Sequence, residues 1–148
     1  MKPEKTKTAP RSAAVAGTPA SPCPCGSGQA YDHCCGALHR AFAETGALAA
    51  PDAQALMRSR YAAYTLDLVP YLLATWHPST RPAALERGEP DLRWLGLEVR
   101  RHVRQDADHE TVEFVARSKS GGRAHRMHEL SRFVRENGAW LYVDGELG

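Results

Sequence analysis

The stretch LRWLGLEVRRHVRQDADHETVEFVARSKSGGRAHRMHELSRFVRENGAWLYVD, residues 92–144, decides the fold. Trp94, Gly96 and Glu98 alternate with Leu95, Leu97 and Val99, and the pattern runs to about Val103. Val112, Phe114 and Ala116 then alternate with Glu113, Val115 and Arg117. A third strand is expected from Arg126 to Arg135 and a fourth from Trp140 to Asp144. Gln105-Asp106-Ala107-Asp108, Ser120-Gly121-Gly122 and Glu136-Asn137-Gly138 separate them, the last a strong hairpin signal. A period of two broken by short turns predicts an antiparallel meander.

Toward the N-terminus the period lengthens. Pro51-Asp52 opens a helical pattern in which Leu56, Met57, Tyr61, Tyr64 and Leu68 recur at steps of three and four. Arg58 and Arg60 project elsewhere, as surface charges or as a cap on nearby carboxylates. Asp67 to Trp76 reads as a second helical piece bent at Pro70, and His77-Pro78-Ser79 stops it. Residues 80–91 read as a connection, and Ala37 to Glu44 as a short helix ended by Thr45-Gly46. Helices followed by a meander predict an α+β domain over 37–148, with helices packed on one face of a curved antiparallel sheet. Residues 1–22, rich in Pro, Ala, Thr, Ser and Lys, read as a disordered tail.

Composition narrows the function classes. The 148 residues suit one domain with a small appendage, and a formal charge of +2 gives no global case for nucleic acid or an anionic membrane. No apolar run is long enough to span a bilayer, and the first residues lack the apolar stretch of a signal peptide. A cytoplasmic protein is expected. The oligomeric state stays open.

All four cysteines lie in residues 23–36: Cys23 and Cys25 flank Pro24, and eight residues later come Cys34 and Cys35. Bridges within Cys-Pro-Cys or Cys-Cys would close strained rings, and cross-bridges would need an oxidising compartment. Metal is the better reading. Zinc takes four thiolates in a tetrahedron at about 2.3 Å, with Fe(II) as a variant. Pro24 stiffens the first pair, Gly26-Ser27-Gly28 turns the chain back, and Tyr31 can pack over the site. His33 and His39 are rival donors, although four thiolates already fill a structural site.

CPCGSGQAYDHCC, residues 23–35, resembles the SEC-C motif, C-x-C-x-S-G-x-x-Y-x-x-C-[CH], also found at the C-terminus of the preprotein translocase ATPase SecA. The resemblance implies a zinc site held by Cys23, Cys25, Cys34 and Cys35. It also implies protein partners, with a chaperone and the ribosome as the classes that module contacts in the translocase. ALMRSRYAAY at 55–64, YLLATWHPS at 71–79, WLGLEV at 94–99, VEFVAR at 112–117, HELSRFVR at 128–135 and WLYVDG at 140–145 are similar to the YchJ-type family of SEC-C proteins. That family implies a cone like those of nuclear transport factor 2 and the cystatins, and it carries no assigned activity.

Polar residues inside apolar strands are the remaining candidates. His77, Glu113, His128, Glu129, Arg132 and Asp144 are expected at the cavity of the cone, either as an acid/base pair or as a salt-bridge network that fixes register. Trp76, Trp94 and Trp140 read as core. No phosphate loop, nucleophile elbow or HExxH is present, and no residue is assigned as catalytic. The expected function is a zinc-binding adaptor that works through protein contacts. The alternative is a cofactor-free enzyme of isomerase or dehydratase type, and nucleic-acid contact by the module is a minor option.

Overall fold

The computed structural model describes residues 21–148. The tail expected over 1–22 therefore lies, up to residue 20, outside the described residues. Ser21 and Pro22 are not tail. Pro22 pairs with Ala30, and the Ser21 carbonyl accepts the Tyr31 N–H at 2.8 Å, so the cysteine loop is closed at its base by backbone.

A 3-10 turn, Tyr31–His33, leads into α1 (Cys35–Thr45), α2 (Ala53–Thr65) and α3 (Val69–Ala74). Four strands follow: β1 (Arg93–Asp106), β2 (His109–Ser120), β3 (Arg123–Glu136) and β4 (Ala139–Leu147). They pair antiparallel in the order β1-β2-β3-β4. The β3–β4 turn places Asn137 at φ 52° and Gly138 at φ 80°, left-handed backbone that Asn and Gly adopt at least cost. Register shifts in β1 and at Arg132/Phe133 mark the bulges that curve a long sheet. The edge of β4 is covered by the chain leaving α3: Tyr142 N–H donates to Thr75 O at 2.8 Å, and His77 N–H donates to Tyr142 O at 2.7 Å.

Local chemistry explains the helices. α1 begins at Cys35, two residues before the expected start, so the last cysteine opens the helix; Gly46, left-handed at φ 78°, ends it. The Asp52 carboxylate caps α2 by accepting the Ala55 N–H at 2.8 Å. Pro70 does not bend a helix. It lies in the first turn of α3, where its missing N–H costs nothing, and the left-handed Asp67 (φ 55°) separates α2 from α3.

The core forms where Leu56, Met57 and Tyr61 of α2 meet Val112, Phe114, Ala116, Phe133 and Trp140 of the sheet. Leu56 and Val112 are fully enclosed, and truncating such a leucine to alanine costs about 2–5 kcal/mol. A smaller cluster of Ala63, Tyr71 and Leu72, with Phe42, Leu68 and Leu85 against it, joins the helices. Among the described residues no helix is long and apolar enough to cross a membrane.

Candidate metal centre and cone cavity

The four cysteines converge. Their sulfurs all lie within 4.8 Å of one another, and no other His, Cys, Asp or Glu among the described residues joins the group. Cys25 and Cys34 Sγ are 3.6 Å apart, and Cys34 and Cys35 Sγ are 4.0 Å apart. Arms of about 2.3 Å give a tetrahedron with edges of about 3.8 Å, so the spacing fits a zinc-sized ion. The loop that makes this possible turns through Gly26 and Gly28 at φ 79° and 87°. Ser27 Oγ sits 3.2 Å from Cys34 Sγ, and Cys23 N–H donates to Gln29 O at 2.9 Å.

Charge fits a cation as well. Cys23 and Cys35 donate toward Cys25, which lowers the Cys25 pKa far below the usual thiol range. Cys23 is pushed up to about 11, chiefly by that bond to Cys25. Cys35 is pushed up further by its bonds to Cys23 and Cys25 and by burial. A divalent ion at the centre of the cluster would displace the thiol protons and offset the sulfur charge.

The module is not a separate bead. Cys23, Cys25 and Cys35 belong to the same buried cluster as Leu56, Met57 and Val112. Arg58 Nη1 donates to Cys25 O at 2.9 Å. Gly36 allows Tyr31 to close over the site, because a Cβ there would stand 2.6 Å from Tyr31 O and 2.7 Å from its ring. Tyr31 OH bonds His39 Nδ1 at 2.6 Å, and His39 Nε2 donates to Ser59 O at 2.8 Å. Burial lowers the His39 pKa, which favours the neutral ring this bridge requires. His39 is thus a strut between α1 and α2 and not a rival ligand; His33 is exposed.

A second site lies between α2 and the inner face of the sheet. A cavity of about 370 Å³ is lined by Met57, Arg60, Tyr61, Tyr64, Trp76, Trp94, Phe114, Ala116, Met127, Glu129, Ser131, Phe133 and Tyr142. Arg60, expected at the surface, is only 6% exposed. α2 packs against α1 and α3 as well as the sheet, so its buried surface is wider than one stripe. Arg60 Nη1 donates to Leu72 O at 2.8 Å and Thr75 Oγ1 at 2.6 Å, and the guanidinium lies 5.0 Å from the Trp76 ring and 4.7 Å from that of Tyr142. Desolvation lowers its pKa. Tyr64, expected in the buried stripe, is 36% exposed.

Of the six polar residues expected in the cavity, Glu129 alone lines it. Its Oε2 accepts from Ser131 Oγ at 2.6 Å and Tyr142 OH at 3.1 Å. Glu113 pairs with His128 at 2.6 Å, and Arg132 pairs with Asp144 at 2.6 Å and Glu146 at 2.7 Å, all on the opposite face of the sheet. The cause is strand parity: Phe114 opposes Glu129 on the inner face, which sends Glu113 and its partner Leu130 outward. His77 lies beyond the strands, 2.9 Å from Glu136 and 2.7 Å from Ser79 Oγ. Glu110 was not anticipated. It is buried on β2, accepting from His102 Nε2 at 2.7 Å and Ala53 N–H at 3.0 Å.

Fold and cysteines together define a class: a four-cysteine SEC-C module docked on a cone of the nuclear-transport-factor-2 type. The family model for the SEC-C motif matches residues 21–37, and the one described as YchJ, middle NTF2-like domain matches residues 52–145. The chain belongs to the YchJ family, whose curated members here carry the name UPF0225 protein. It is similar to the UPF0225 protein of Methylibium petroleiphilum, 62% identical over 126 residues, covering 85% of this chain and 88% of that one. The UPF0225 protein of Bordetella pertussis is 55% identical over 133 residues, covering 87% and 96%. Among solved structures, a SEC-C motif containing protein from Rhodopseudomonas palustris matches with a TM-score of 0.68 at 36% identity, covering 85% of this chain and 98% of that one. A SEC-C motif containing protein from Psychrobacter arcticus gives 0.66 at 27% identity, covering 83% and 75%.

Proposed function

We propose that this chain is a cytoplasmic zinc protein that works by binding a protein partner. Zinc is held by Cys23, Cys25, Cys34 and Cys35, where it cross-links the loop at 23–28 to the start of α1. The closed donor set supports this: four sulfurs within 4.8 Å and no fifth donor among the described residues. A filled tetrahedron leaves no position for substrate, so the metal is structural. Fe(II) is the variant that the same thiolates would accept. Residues 26–29 and His33 remain exposed beside the buried sulfurs and form the surface offered to a partner. Ribosome- and chaperone-linked proteins are the classes to test, on the SEC-C resemblance.

Metal analysis of the full chain purified without added metal is expected to find about one zinc per chain, lost in Cys34→Ser/Cys35→Ser. Partner capture by wild type should disappear in that variant and in a variant substituted at Gln29 and His33 that keeps its zinc. Absence of metal from freshly reduced protein would overturn the zinc reading; capture indifferent to the exposed residues would overturn the adaptor reading.

An enzyme of isomerase or dehydratase type is the second reading. It has lost Glu113 and His128 to the outer face and rests on Glu129, Ser131 and Tyr142, which share the cavity. Turnover abolished by Glu129→Gln in a folded protein would favour it.

A further inference from the structure

We propose that the cone cavity binds a small monocarboxylate with an aromatic or other apolar body, its carboxylate held by Arg60 and by the indole N–H of Trp76. This site is separate from the metal centre and involves no partner of the module.

Three observations converge on an anion. Arg60 is a buried cation that forms no ion pair among the described residues. Its Nη1 serves Leu72 and Thr75, while Nε and Nη2 have no hydrogen-bond partner among those residues. Beside it, Trp76 Nε1 is a buried donor with no acceptor among the described residues. Buried donors are nearly always satisfied, so the enclosed Trp76 N–H, in a side chain against which the Arg60 guanidinium packs, implies an acceptor that the described residues do not supply. The third observation is the cavity itself: both side chains line it, and about 370 Å³ falls within the usual range of small-molecule sites.

The rest of the wall selects the ligand. Tyr64, Trp94, Phe114, Met127 and Phe133 present rings and a thioether, which suit an apolar body. Glu129, the carboxylate in this cavity, is engaged by Ser131 and Tyr142 and does not neutralise Arg60 directly. Its charge disfavours a dianion, so a monocarboxylate is preferred over a phosphate. A planar carboxylate also matches the fork of a guanidinium.

The test uses the zinc-loaded full chain with 15N-labelled tryptophan. Benzoate, phenylacetate and hexanoate are titrated beside their neutral amides while the Trp76 indole N–H resonance is followed. At least one acid should move that resonance saturably and bind about tenfold or more tightly than its amide. Trp76→Phe keeps an aromatic ring in place and removes the donor, so it should weaken the acid about tenfold in a variant that still melts cooperatively. Arg60→Gln should weaken it further; where that variant fails to fold, Trp76→Phe decides. No saturable shift with any acid up to about 10 mM, the weak limit of a useful site, would overturn the proposal. So would amides that bind as tightly as acids, or acid binding that Trp76→Phe leaves unchanged.

Discussion

Arg58 Nη1 donates to the carbonyl of Cys25 at 2.9 Å, a contact spanning 33 residues of sequence that fastens α2 to the backbone of the four-cysteine cluster. The knuckle has too little chain to form a core of its own. It borrows one from the cone, and Arg58 helps to hold the two together.

Replacing Arg58 with Met keeps most of its apolar stem and removes the donor. Stability should fall by about 1.5–3 kcal/mol, the scale for a hydrogen bond from a charged group. Metal should also pass to a competing chromophoric chelator faster than from wild type. Denaturant melts and the chelator assay check both, and wild-type behaviour in the two would mean the contact carries no load.

Metal removal should act on the entire domain. Cys23, Cys25 and Cys35 share a core with Leu56, Met57 and Val112, so loosening the cysteine loop exposes apolar surface on α2 and the sheet. Chelation at neutral pH should lower the thermal midpoint by about 10 °C or more in one transition. Calorimetry with and without chelator tests this. An unchanged cone melt would show that the module is only an appendage.

Stability should also depend on His39 below neutral pH. Desolvation puts its folded pKa below the usual histidine value of 6.5, so the unfolded chain binds the proton more readily. The stabilisation from the neutral ring is full above about pH 6.5 and is lost as pH falls through the folded pKa. Tyr31 and Tyr71, whose hydroxyls burial pushes up to about 12, stay neutral across that window. Urea melts of wild type and His39→Gln from about pH 8 to pH 5.5 should converge as the pH drops. Parallel curves would show that His39 does not titrate against folding.

Strands and cysteines were legible in the sequence because both are local signals. Val112, Phe114 and Ala116 mark an inward face by alternation, and that parity already places Glu113 outside. Glu129 needed the β2–β3 register, which puts it opposite Phe114. Arg60 was illegible for another reason: charged residues default to the surface, and its burial depends on α3 returning to supply Leu72 O and Thr75 Oγ1. His39 and Glu110 likewise satisfy groups 20 and 57 residues away, which no local pattern announces.

Gly145 and Glu129 should prove energetically coupled. Gly145 sits opposite Ser131 on β4, and a Cβ built there would overlap the Glu129 carboxylate, standing 2.5 Å from Cδ and 2.7 Å from Cγ. Gly145→Ala must therefore push Glu129 off Ser131 and Tyr142, at a cost of about 1–3 kcal/mol. Glu129→Ala removes the obstacle and forfeits the same hydrogen bonds, so adding Gly145→Ala to it should cost clearly less than the two single losses combined. Glu113→Gln is the control. Its bond to His128 lies on the outer face, open in part to solvent, so the loss should stay at about 1 kcal/mol. Denaturant melts of the three cavity variants and the control measure every leg of the cycle. Strict additivity between Gly145→Ala and Glu129→Ala would show that the strand shifts to admit the methyl and that the glycine does not hold the carboxylate in place.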